Sequence, residues 1–130
     1  MLSFHHDRLI VYRKSIEFVA ISAQVIPMIE PAHAHLRDQL ARAATSIALN
    51  VAEGAGEFSR QDKHRFYRMA RRSAAECAAV LEVLRSIGYP DQAQLVTGRE
   101  TLHQIVAMLT AMTRPDALRP QAPANGREEK

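Results

Sequence analysis

Residues 36–89 read LRDQLARAATSIALNVAEGAGEFSRQDKHRFYRMARRSAAECAAVLEVLRSIGY. Leu36, Leu40, Ala43, Ala44, Ile47 and Val51 follow one another mostly at spacings of three and four, which places them on one helix face. Gly54 and Gly56 end that helix, since glycine suits the left-handed position that follows one. Ser59 then supplies an N-cap and Asp62 an acidic first turn. Phe66, Ala70, Ser73, Cys77, Val80, Leu84 and Ile87 trace a second stripe, closed by Gly88, Tyr89 and Pro90. The stretch is therefore two long amphipathic helices joined by a short turn.

The flanking sequence repeats the pattern. Leu9, Tyr12, Ile16, Val19, Ala23 and Ile26 form a stripe before it, stopped by Pro27 and Pro31, which lack the N–H that a helix interior needs. Leu95, Leu102, Ile105, Leu109 and Met112 form one after it, with Gly98 a weak point. The spacing predicts helices over about 7–26, 34–53, 59–87 and 91–113. Residues 114–130 hold Pro115, Pro120, Pro123 and Asn125-Gly126 and read as a flexible C-terminal tail. The expected fold is all-α, an antiparallel up-down four-helix bundle spanning residues 1–113. Alanine fills many stripe positions, which allows close approach but buries little area per residue. An oligomer would bury more.

Composition narrows the function. A chain of 130 residues suits one domain. One cysteine excludes an internal disulfide framework and a Cys-rich metal site. No apolar run approaches the roughly 20 residues of a membrane span. The opening MLSFHHDRLIVYRK lacks a secretory signal, so cytoplasmic location is the default expectation and no membrane partner is expected. The net charge of +3 permits an acidic partner without requiring one.

The charge is concentrated, however. Arg60, Lys63, Arg65, Arg68, Arg71 and Arg72 face one acidic residue, Asp62, over a single helical stretch. At about 100° per residue, Phe66, Ala70 and Cys77 centre the apolar stripe. Arg60, His64, Arg68, Arg71 and Arg72 then project away from it, and Lys63 lies near its edge. Arg60, Arg65, Arg68, Arg71 and Arg72 are the candidate nucleic-acid contacts, because the guanidinium fork matches phosphate. The alternative is a merely solvated bundle face.

Gln39, Arg42, Ser46, Asn50 and Glu53 line one side of the second helix, while Ser73 and Glu76 lie within or beside the third stripe. These seven suit a structural polar stripe or a subunit interface. Glu53 and Glu76 as a catalytic carboxylate pair is the sharper alternative, with no evident nucleophile or metal set nearby. The histidines show neither HExxH nor paired inward Glu-x-x-His spacing, so no metal, cofactor or catalytic residue is assigned. Cys77 falls in the apolar stripe and reads as an inert buried thiol.

The run containing Gln39, Leu40, Arg42, Ala43, Ala44, Ser46, Ile47, Asn50, Val51, Ala52, Glu53 and Gly54 resembles the 23S rRNA-intervening sequence proteins. So does the later set of Phe66, Ala70, Arg71, Ser73 and Glu76, and Tyr12, Lys14, Ser15 and Phe18 match loosely. Two departures stand out: Glu57 and Phe58 where the family often has basic residues, and Arg72 where it usually has Gly. The resemblance implies an up-down four-helix bundle, a homopentamer with a central pore, and no established enzymatic activity. It suggests RNA or DNA as partner, acting as a nucleic-acid-binding scaffold. The accessory variability protein of diversity-generating retroelements is similar, which suggests an adaptor for a nucleic-acid enzyme such as a reverse transcriptase as the alternative.

Overall fold

The computed structural model describes residues 4–115. Four helices carry the fold: α1 (Ile10–Val25), α2 (Ala34–Ala55), α3 (Arg60–Ser86) and α4 (Gln92–Met112). Two short 3-10 turns, Ile26–Met28 and Pro31–His33, take up the prolines between α1 and α2. Beyond Pro115 the expected tail lies outside the described residues.

Each helix packs on its neighbours in sequence, and α4 returns to pack on α1. The diagonal pairs, α1 with α3 and α2 with α4, do not approach backbone to backbone. Short loops with this square of contacts give an antiparallel up-down bundle around one core. Phe18, Leu40, Ile47, Leu81, Leu84, Leu95, Leu102, Ile105 and Leu109 are fully buried in it. Each such side chain contributes about 1.5–3 kcal/mol of apolar burial.

The α2 stripe is buried as its spacing requires: Leu36, Leu40, Ala43, Ala44, Ile47 and Val51. In α4, Leu95, Leu102, Ile105 and Leu109 are buried, and Met112 is half-buried at the end. Gly98 is a packing position there. A Cβ on it would come within 3.0 Å of Leu81 Cδ1, so its bareness lets α3 seat closely on α4.

The first helix departs from expectation. Its buried row is Val11, Ser15, Phe18, Ser22 and Val25, whereas Ile16 is 45% exposed and Ala23 is exposed. Leu9, Tyr12 and Ile26 sit at the core's margin. Two serines disguise the true row. Each satisfies its hydroxyl within its own helix, Ser15 Oγ donating to Val11 O at 2.7 Å and Ser22 Oγ to Val19 O at 2.8 Å. A bonded hydroxyl can be buried at little cost.

The turn after α2 also differs. Gly54 is still helical, the helix runs to Ala55, and Gly56 caps it in the right-handed region. Among the described residues the one glycine with positive φ is Gly88, at 89°. Gly54 is required for space instead: a Cβ on it would lie 2.6 Å from Tyr67 Cε1.

Candidate nucleic-acid interface

The α3 face is set by how α3 meets α2 and α4. Ser59 caps α3, its hydroxyl accepting from Asp62 N at 3.0 Å. Lys63 then reaches back across the turn and donates to Gly54 O at 3.3 Å and Ala55 O at 3.1 Å. Those carbonyls lie in the last turn of α2, where Gly54 O also accepts from Glu57 N at 3.2 Å, so the ammonium adds to their hydrogen bonding and meets the negative end of the helix dipole.

Further along, a polar seam joins the two helices. Ser46 Oγ and Ser73 Oγ are 2.8 Å apart, and Asn50 Nδ2 donates to Ser46 O at 2.9 Å and to Ser46 Oγ at 3.0 Å. Gln39 Nε2 donates to Glu76 Oε2 at 3.1 Å. Five of the seven stripe residues are therefore partnered between or along α2 and α3. Arg42 and Glu53 are exposed, and their side chains make no hydrogen bond among the described residues. Glu53 also lies fourteen residues beyond Gln39, the partner of Glu76, which is about 21 Å of helix at 1.5 Å per residue. That separation removes the carboxylate-pair reading. Among the described residues no cluster of three His, Cys, Asp or Glu could hold a metal.

The inward face of α3 is His64, Tyr67, Ala70, Ala74, Cys77, Val80, Leu81 and Leu84. Three expectations are corrected here. Phe66 is only half-buried, because the aromatic slot opposite Gly54 takes Tyr67. Ile87 is 47% exposed, lying past the helix end. His64 is buried rather than outward. It shares a row with Arg60 and Arg68, whose long stems reach water where an imidazole does not. Its Nε2 is buried without a hydrogen-bond partner among the described residues. Burial, then the nearby charges of Arg68 and Arg60, hold the imidazole below its usual pKa. Burial likewise pushes the Cys77 thiol up to about 12, with the Glu76 charge adding to the rise, so it is no nucleophile at neutral pH.

The outward arginines are not equivalent. Arg68 and Arg72 are exposed and have no ion pair among the described residues. Arg65 is exposed, 3.9 Å from Asp62, with its guanidinium 4.6 Å over the Phe66 ring. Arg71 was expected to project outward; it is half-buried and donates to Thr113 Oγ1 at 3.2 Å, pinning α3 to the end of α4. Arg60 is exposed at the start of the helix. Arg65, Arg68, Arg71 and Arg72 share an open groove of about 590 Å³ with Met69, Ala75 and, from α4, Val106. Sequence reasoning found the arginines but missed the groove, because Val106 is brought to it only by packing. The reach of Lys63 to α2 was equally hidden. A lysine three to four residues after an N-cap carries no local sign that it will cap the preceding helix.

Fold and site together define an all-α bundle whose internal polar groups are mostly mutually satisfied and whose concentrated charge lies on one helix face. No helix among the described residues is long and apolar enough to cross a membrane. The chain belongs to the 23S rRNA-intervening sequence protein family, whose model matches residues 7–111. It is similar to the crystal structure of a protein with unknown function from the S23 ribosomal protein family of Bacteroides thetaiotaomicron. The two share 23% identity at a TM-score of 0.74, over 81% of this chain and 99% of that one. At that identity the likeness bears on the fold alone. No curated protein matches the chain.

Proposed function

We propose that this protein is a non-enzymatic, homo-oligomeric helical scaffold that binds RNA or DNA electrostatically through α3. The observation that carries the reading is the pair of exposed, unpaired guanidinium groups on Arg68 and Arg72, set in one groove with Arg65 and Arg71. Arg60 extends the face toward the helix start. Charges without internal partners are free to replace the counterions of a phosphate backbone. Self-association is supported by large apolar side chains left in water, among them Ile10 and Ile16 on α1, Leu49 on α2, Val83 on α3 and Val96 on α4. Copies of the basic face on one assembly would multiply weak contacts. A pentamer is the state that the family resemblance suggests.

A second reading, an adaptor for a nucleic-acid enzyme, draws on Phe58. It is 95% exposed in the α2–α3 turn, a large apolar group that a protein partner would cover.

The test is light scattering of the purified chain alone and with RNA, together with anisotropy titrations over a range of salt. An oligomer is expected, whose affinity falls steeply with salt. Arg68→Ala with Arg72→Ala should weaken binding across sequences and flatten the salt slope by about one per arginine engaged. A monomer that ignores RNA at low salt refutes the scaffold, and unchanged binding in the double variant refutes the site.

A further inference from the structure

The α3–α4 groove is amphipathic, and that bears on which form of nucleic acid it receives. Its rim is guanidinium, from Arg65, Arg68 and Arg72, while Met69, Ala75 and Val106 supply an apolar lining. Met69 is substantially exposed. A duplex offers phosphates outward and keeps its base faces stacked within, so it would meet the arginines and leave this apolar lining in water. A single strand can turn the flat apolar face of a base inward while its phosphates stay with the arginines.

Three features fit the second ligand. The Arg65 guanidinium carbon already lies over the Phe66 ring, 4.6 Å from its centroid, and the side chain is more than half exposed. A guanidinium plane is also a stacking surface for a base. The groove is preformed: α3 and α4 are pinned by Arg71 to Thr113 at 3.2 Å and, further along, by Arg99 to Glu82 at 2.9 Å. Glu82 is held by Arg85 and Arg99 together, so that carboxylate does not stand unpaired beside an incoming phosphate. The size also suits a short piece of strand. Arg65 to Arg72 spans roughly 10 Å of helix, and about 590 Å³ lies within the range of small-ligand sites.

We propose that the α3–α4 groove takes unpaired bases, so that its ligand is single-stranded RNA or DNA. Phosphates lie on Arg68 and Arg72, and a base lies between the Arg65 plane and the Met69–Val106 lining. This rests on the nucleic-acid reading above and goes further by naming the strand state.

The experiment uses the full chain and three labelled probes in one low-salt buffer. They are a single strand of about a dozen nucleotides, its blunt duplex, and an abasic strand of equal length. The single strand should bind about tenfold more tightly than either of the others, the scale of one stacked base. Met69→Gln and Val106→Gln, each checked for an unchanged helical melt, should narrow that gap and leave duplex binding alone. Equal affinity for single strand and duplex, both salt-dependent, overturns the strand preference while the electrostatic reading stands. Abasic and natural strands binding alike overturns the base contact. A preference untouched by both lining variants overturns the groove as its source. If none of the probes binds, both readings fall.

Discussion

Gly54→Ala tests how α2 and α3 are seated on each other. The added Cβ would lie 2.6 Å from Tyr67 Cε1, 2.8 Å from Cδ1 and 3.2 Å from Cζ. Carbon atoms sit comfortably at about 3.5–4.0 Å, so the ring must retreat by about 1 Å. It has little room to do so, since Tyr67 is only 4% exposed. Overpacking of this kind costs about 1–3 kcal/mol. Alanine opposes it with a helix-propensity gain of up to about 1 kcal/mol over glycine. With the overpacking cost at the middle of its range, the balance is a loss of about 1 kcal/mol, or roughly 4 °C in Tm for a domain of this size. Thermal melts followed by circular dichroism at one fixed protein concentration measure it, because any self-association would make Tm depend on concentration. A second arm uses Tyr67→Leu, which removes Cε1 and Cζ. In that background Gly54→Ala should cost much less, a coupling visible in a double-mutant cycle. Wild-type or higher stability for Gly54→Ala, or an undiminished cost in the Tyr67→Leu background, would refute the close-approach argument.

Two further outcomes follow from buried titratable groups. His64 has its native pKa held below the ordinary 6.5. The unfolded chain therefore binds the proton more readily, and stability falls as pH drops from 6.5 toward the lower native value. Urea midpoints between pH about 7.5 and 5 should show this loss in the wild type and a shallower one in His64→Gln; equal slopes would show that His64 does not carry it. Cys77, buried with its thiol raised to about 12, should resist a thiol-reactive dye in the folded protein and react at once in denaturant. Rapid labelling under native conditions would place it at the surface instead.

Some of this was legible in local spacing alone. The α2 stripe from Leu36 to Val51 is continuous in apolar residues, and an uninterrupted three-four period admits one helix face. The Ser59 cap was readable because a cap bonds within its own first turn. The α1 face was not, because Ser15 and Ser22 break its apolar row while bonding their own backbone. The wrong rotation of α1 therefore followed from hydroxyls that are polar in composition and satisfied in place.

In the candidate site the division is sharper. That six basic residues crowd the stretch from Arg60 to Arg72 is a property of the chain. Which of them remain available is a property of the fold. Lys63 is spent on the α2 carbonyls and Arg71 on Thr113, while Arg68 and Arg72 stay open to solvent.

The chain by itself determined four amphipathic helices, their breaks and the concentration of positive charge, since each depends on residues within a turn or two of one another. Only the tertiary structure decided which aromatic of α3 entered the core, that His64 was buried, and that Val106 completed a groove beside the arginines. Each of these depends on a partner supplied by another helix or on the cover that packing provides. The bare backbone of Gly54 makes room for Tyr67 rather than Phe66, and no periodicity within α3 distinguishes the two.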